Sequence, residues 1–400
     1  MCPIVRFYSF IKEEYQEPGL LKVTPKKKGH LSTGPILQQT PFWGKLKEYQ
    51  GCEVRAFNVK LPADRCRGVC RTTEDGRSII VDDLLVVLQP VGAEYRMAYI
   101  PYGPTLEPRD ECQGPVLEEL SEWLRPHLPE DCLFIRYDLP WQSPWAKDPD
   151  CFDSRGEWTG PPRLEVQEIR MNFDTRRNNL LKAPTNNLPT NTVFLDLEYE
   201  EDQLLRRMKS KTRYNIRLSR RRGVRVVDVD ASRLDEWYRL YRETAERNHI
   251  VLHERRYFET LLAVQETHPD DRTSVHLLMA EADGTPLAGM FLAVSEDQAA
   301  YLYGASSSHQ RNKMATYALQ WQAICRAKEC GCRCYDMFGV SPSPSPSHPM
   351  FGLYRFKTGF GGYLYHRQGC WDYPLQEDLY QIYQAHALNE EGYHLKSASG

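Results

Sequence analysis

Ten basic residues and no acidic one fall between Gln203 and Val227. Arg206, Lys209, Arg213, Arg217 and Arg220 recur there at three- and four-residue spacing, which puts them on one face of an expected helix. Leu205, Met208, Thr212 and Ile216 form a second stripe. Like charges at these spacings repel, and a solvated face normally mixes signs. The run therefore points to a polyanion, such as a tRNA, a nucleotide diphosphate or a phospholipid head group. A solvated helix face is the competing reading. A second cation, Lys357, stands in FGLYRFKTGFGG, followed by Gly359, Gly361 and Gly362. Glycines let backbone approach a ligand closely. The flanks Tyr354, Phe356 and Phe360 imply partial desolvation, where a cation acts more strongly on developing negative charge. The competing reading is a surface-loop lysine. Glu107, just past Gly103-Pro104, is a carboxylate at a strand end and a candidate base, although an exposed loop glutamate is the commoner case. Lys47 sits in QQTPFWGKLK with Trp43, and on pattern alone that is an amphipathic helix with solvated lysines.

Other chemistries find no support in the residues. There is no Gly-x-Ser-x-Gly nucleophile, no Walker loop and no dinucleotide loop. The loop HQRNKMAT lies where an acyl-CoA cradle would open a helix, but no glycine lies between His309 and Thr316. The twelve cysteines are scattered. The tightest cluster is Cys330, Cys332 and Cys334, with no second pair and no suitably spaced histidine, which favours free thiols in a reducing compartment over zinc.

The elements that carry these residues follow from periodicity. Thr40 caps a helix with Pro41 at its first position, and Phe42, Trp43 and Leu46 form the apolar side. Ser78–Gln89 and Glu94–Ile100 read as strands, with turns at Asp75-Gly76 and Val91-Gly92. Pro115–Leu128 reads as a helix and Cys132–Asp138 as a buried strand. Residues 141–192 form a long irregular connection around an expected strand at Val166–Phe173. The pattern then restarts. Strand Val193–Leu197, helix Glu200–Arg222, strand Val224–Val229 and helices Leu234–Asn248 and Tyr257–Val264 precede a hairpin of Val275–Ala282 and Pro286–Ser295. Strand Ala299–Tyr303, helix Thr316–Cys330 closed by Gly331, and strand Tyr335–Val340 make an α/β crossover unit. The aromatic and polar segment from Tyr363 onward is expected to return to the first unit.

The chain has 400 residues, 41% hydrophobic and 26% charged, which suits a soluble globular protein of two or more domains. A net charge of -3 does not mark the whole molecule as a nucleic-acid binder. No stretch approaches the ~20 apolar residues of a membrane span, and MCPIVRFYSFIKEEY is not a signal peptide. A cytoplasmic location is the expectation.

Six pieces in order, QQTPFWGKLK, YIPYGP, KSKTRYNIRLSRRRGV, YLYGAS, the YALQW helix and FGLYRFKTGFGG, resemble the FemABX family of non-ribosomal peptidyltransferases. The resemblance covers roughly residues 36–365. It implies an α/β fold of two GNAT-like acyltransferase domains in tandem, in the compact form without a coiled-coil arm. Residues 1–188, completed by 364–400, would bind the precursor, and residues 189–363 would form the second domain. The implied activity moves an amino acid from aminoacyl-tRNA to the peptide of a muramyl-peptide precursor, either UDP-linked or lipid-linked. A lipid-linked precursor brings peripheral membrane contact, and no cofactor is implied. Carried over, Lys47 matches the lysine that holds the precursor's diphosphate, with Trp43 on the same helix. Tyr102 matches a pocket tyrosine, and Tyr303 belongs to the YLYGAS strand. Glu107 falls where the family commonly has aspartate. Lys357 matches the lysine near the point of acyl transfer. Arg255 and Arg256 are the candidates for a substrate-binding arginine, and Arg206, Lys209, Arg213 and Arg217 for tRNA contact. An acyl-CoA-dependent acyltransferase and a non-catalytic tRNA- or precursor-binding protein are the rival readings.

Overall fold

The computed structural model describes residues 21–67, 72–74, 77–248, 251–266 and 272–389. The expected turn at Asp75-Gly76 lies outside them. Among the described residues one mixed sheet of fourteen strands runs through the molecule. Its order is Lys22–Lys26, Glu53–Pro62, Arg77–Val91, Tyr95–Ile100, Cys132–Gln142, Tyr363–Pro374, Asn191–Asp196, Cys334–Asp336, Gln298–Ser306, Thr285–Ser295, Thr273–Ala282 and Arg225–Val229, with two short strands off this path.

The same unit occurs twice in that sheet. Tyr95–Ile100 and Cys132–Gln142 are parallel and joined through helix Gln113–Leu124. Gln298–Ser306 and Cys334–Asp336 are parallel and joined through helix Ala315–Glu329. Parallel neighbours need such a crossover, and each helix supplies it while burying one side on the sheet. Helix Gln113–Leu124 buries Val116, Leu117, Leu120 and Leu124. Thr40 caps helix Pro41–Tyr49 by accepting from the Trp43 N–H, and Gly331 closes helix Ala315–Glu329 in the left-handed region.

Strand Tyr363–Pro374 joins the two halves. Its residues 363–366 pair with Asn191–Phe194, and its residues 367–374 pair with Cys132–Gln142. The register shifts between Arg367 and Gly369. A common apolar core seals the junction, taking Phe42, Trp43 and Leu46 from one half and Trp237, Phe258 and Phe291 from the other.

Several expectations change. Val166–Phe173 is not a strand: Leu164–Met171 is a helix, because the residues it buries, Gln167 and Met171, are four apart. Glu200–Arg222 is not one helix. Glu201–Arg207 and Ser210–Arg221 are separate, and Met208 and Lys209 between them are extended, with ψ of 152° and 145°. Met208 is drawn into the core, and the Lys209 N–H donates to Gly359 O at 2.9 Å instead of continuing the helix. The strand expected over Tyr335–Val340 is only Cys334–Asp336, because Phe338 turns into the left-handed region at φ 60°. FGLYRFK is a helix, Phe351–Lys357, and the glycine turn follows it, with Gly361 in the left-handed region at φ 86°.

Gly369 has φ 71°, and a Cβ there would lie 2.4 Å from Asn186 Oδ1. Gly369→Ala is expected to cost roughly 1–2 kcal/mol from the backbone alone. The urea midpoint should fall accordingly; an unchanged midpoint would show that the joining strand adapts freely.

Candidate functional site

At the joining strand the chain buries an ion pair. Arg367 donates to Asp336 Oδ2 at 2.8 Å, and both side chains are at most 5% exposed. Asp336 Oδ1 also accepts from the Phe338 N–H at 2.7 Å and from the Thr192 hydroxyl. The Arg367 guanidinium lies 4.5 Å over the Tyr102 ring, whose hydroxyl donates to Pro189 O at 2.7 Å. Burial works against the Arg367 charge, but Tyr102 and Asp336 beside it hold its pKa above the ordinary range. Tyr102 itself is pushed well above the usual tyrosine value by burial.

The Asp336 turn also sets Lys357. By fixing the Phe338 N–H, Asp336 holds the bend in which the Phe338 and Gly339 carbonyls face the lysine. Lys357 Nζ donates to Gly339 O at 2.7 Å and to Phe338 O at 3.2 Å, and lies 5.1 Å over the Tyr301 ring. Lys357 is 4% exposed. Burial lowers its pKa to about 7, against the opposing pull of Asp336. Near neutral pH such an amine is shared between two forms. As an ammonium it can stabilise a developing oxyanion. As a free amine it can accept a proton.

Beside this node lies a cavity of about 340 Å³, lined among others by Tyr102, Glu107, Phe194, Asp336, Phe338 and Arg367. Tyr102 and Glu107 therefore share one space, and Lys357 touches its wall through the Phe338 carbonyl. Glu107 accepts from Arg67 at 2.9 Å. Burial raises its pKa, with Arg67 pulling the other way.

Lys47, Trp43 and Tyr303 form a second group. Lys47 Nζ lies 5.2 Å from the Trp43 ring and donates to Gln50 Oε1 at 2.9 Å. Burial lowers the Lys47 pKa. His253 is lowered too, by burial and then by the Lys47 charge. Its ring stacks on Tyr257 at 4.6 Å, and the Tyr257 and Tyr303 hydroxyls are 2.8 Å apart. The two groups share elements. Residues 35–38 line the cavity and lead into the helix of Trp43 and Lys47, while strand Gln298–Ser306 gives Ala300 to the cavity and Tyr303 to the cluster. Arg255 is engaged instead with Asp235 and Glu259 on the protein surface, and Arg256 is exposed on the same helix.

The basic run is split between two helices, with Arg206 on the first and Arg213, Arg217 and Arg220 at four- and three-residue spacing on the second. Arg206 lies on the first helix and donates to Asp202 O at 3.2 Å. Arg213 spans the break to the Met208 and Arg206 carbonyls. Arg217 is exposed on the second helix. Lys209 Nζ donates to Thr358 Oγ1 at 3.3 Å, beside Lys357. The glycines after Lys357 serve this packing rather than a ligand. A Cβ on Gly359 would meet Thr212 Oγ1 at 2.4 Å, one on Gly361 would meet Arg207 O at 2.7 Å, and one on Gly362 would meet Phe194 O at 2.3 Å. The HQRNKMAT loop opens helix Ala315–Glu329 with Gln310 and Met314 in the left-handed region, reached without glycine.

Sequence reasoning missed Asp336, Arg367, Thr192 and His253. A carboxylate ending the Cys334–Asp336 strand and an arginine inside the aromatic run after Gly362 were the available signals.

The FemAB family profile matches residues 32–284 and 272–387. The chain belongs to the FemAB family. Among curated relatives, a lipid II:glycine glycyltransferase of Staphylococcus haemolyticus is 34% identical over 113 residues, 28% of this chain and 26% of that one. A protein of the same name from Staphylococcus epidermidis is 23% identical over 251 residues, 48% of this chain and 60% of that one. The chain thus spans less than two thirds of the length of either. The crystal structure of FemX superimposes with a TM-score of 0.67 at 18% identity, covering 90% of this chain and 99% of that one, and shares its fold.

The lowered pKa of Lys357 has a consequence for stability. Between about pH 7 and the ordinary lysine value, the unfolded chain holds a proton that the folded chain has released. The stability of the wild type relative to Lys357→Met should therefore rise as pH increases from 7 toward 10. Urea midpoints at several pH values measure this; a constant difference would mean that Lys357 keeps an ordinary pKa.

Proposed function

We propose that this protein is an aminoacyltransferase that adds an amino acid from a charged tRNA to the peptide side chain of a lipid-linked peptidoglycan precursor. The observation that carries the reading is Lys357, a buried lysine that donates to the Phe338 carbonyl of the Tyr102–Glu107 cavity wall and whose pKa burial lowers to about 7. Family membership and the names of the relatives support the reaction class.

The donor ester is already activated, so no covalent enzyme intermediate is needed. The acceptor amine forms the new C–N bond, and the bond from the carbonyl carbon to the tRNA oxygen breaks. Lys357 enters as the free amine and takes the proton from the attacking nitrogen. The resulting ammonium faces the developing negative charge, and its proton then goes to the departing tRNA oxygen. Glu107 and Tyr102 orient the acceptor peptide, and positioning supplies much of the acceleration. Lys47 and Trp43, with Tyr303, hold the diphosphate of the precursor. Residues 1–188 with 364–400 form the acceptor side, and residues 189–363 the donor side. The exposed basic residues of Ser210–Arg221, Arg217 among them, meet tRNA phosphates.

Lys357→Ala should lose on the order of 10²-fold or more in kcat, the scale of one lost oxyanion donor. Lys357→Arg should rescue poorly, since a planar fork with a much higher pKa can neither release a proton near pH 7 nor fit the two carbonyls. Single-turnover transfer from charged tRNA to the lipid-linked precursor is the assay, and near-normal kcat in Lys357→Ala would remove the lysine from the mechanism. Lys47→Ala should raise the acceptor KM and leave kcat and tRNA affinity unchanged, the pattern of lost ground-state binding. An unchanged acceptor KM would return Lys47 to a solvated helix lysine.

A further inference from the structure

Helix Leu164–Met171 turns its apolar side outward. Its buried residues are Gln167 and Met171. On the other side Val166 and Ile169, with Phe173 just past the helix end, are 45%, 73% and 64% exposed. Their spacing of three and four residues makes a continuous stripe. Singly scattered apolar side chains on a surface are ordinary, but a contiguous patch marks an interaction site.

Charge surrounds the stripe on one edge. By helical rotation Arg163 and Arg170 flank it, and Arg176 and Arg177 follow in the next loop, all on the exposed surface. The exposed acids of the segment are Glu165 and Asp174. Arg170 lies 5.8 Å over the Trp145 ring and 3.9 Å from Asp110, and Arg177 lies 3.5 Å from Glu122. A half-buried tryptophan beside an arginine at the rim suits the boundary between water and acyl chains. The same helix lines a cavity of about 250 Å³ through its inner residues Gln167 and Met171 and through Arg170 at its edge, and that cavity reaches Arg367. The outward stripe is thus one cavity away from the buried ion pair of the proposed site.

We propose that this helix docks the protein on an anionic lipid surface, with Val166, Ile169 and Phe173 entering the acyl boundary and the arginines meeting headgroup phosphates. The choice of lipid over a protein partner rests on the lipid-linked acceptor proposed above. Vesicles free of precursor keep the two ideas separable, because binding to them requires no transfer reaction.

The test is flotation of the full chain with vesicles of phosphatidylglycerol and phosphatidylcholine, against phosphatidylcholine alone. Wild type should bind the anionic vesicles, with binding weakened by salt. Ile169→Ser/Phe173→Ser should lower partitioning roughly 10-fold or more at an unchanged urea midpoint, since both side chains are exposed. Wild type that does not float, or a double variant that floats as wild type does, overturns the proposal. Self-association that the double variant abolishes, without vesicle binding, overturns it too and gives the face to a second copy of the chain. Vesicle binding without any detectable transfer would leave the docking intact and remove the proposed reaction.

Discussion

The buried pair of Asp336 and Arg367 is the constraint on which the rest of the site depends. Arg367 sits where one strand changes partners from one half of the sheet to the other. Asp336 ends the short strand that completes the second crossover unit. Burying two charges is expensive, and such a pair is weak support for stability by itself. Breaking it is another matter, because either partner left alone would be an uncompensated charge in the interior. The pair therefore acts chiefly as a device for position, locking the register of the joining strand to the Asp336–Gly339 bend.

That bend determines the chemistry. With the Phe338 N–H held by Asp336, the Phe338 and Gly339 carbonyls converge on Lys357. Two carbonyls and an aromatic ring satisfy an amine in either protonation state. Burial, only partly opposed by Asp336, then brings its pKa near 7. The same residue that aligns the halves thus tunes the amine, and the basic segment packs onto the turn that follows it through Lys209.

Much of the fold was legible because it is written locally. Alternation gave the hairpin near Asp283-Gly284, apolar periodicity gave the two crossover helices, and Thr40-Pro41 gave a helix start that the structure bears out. The failures have tertiary causes. Five of the ten cations stand in helical register and promised one face, but Met208 prefers the core and Lys209 prefers a carbonyl from a distant glycine, so the helix breaks. Val166–Phe173 read as a strand because Val166, Ile169 and Phe173 face outward, where no core imposes the usual helical pattern. The glycines after Lys357 suggested a ligand, yet they admit the chain's own Arg207, Thr212 and Phe194. Lys357 stood out from its aromatic neighbours, whereas Asp336 and Arg367 pair across 31 residues through sheet register that no local pattern encodes.

The central claim is that burial against the Asp336 bend makes Lys357 a titrating amine near neutral pH. Its most direct test is an NMR titration of ¹⁵N-labelled lysine side chains, with Lys357 assigned by the signal missing from Lys357→Met. A midpoint near pH 7 for that signal is the result this account predicts. A Lys357 midpoint near the ordinary lysine value of about 10.4 would contradict it.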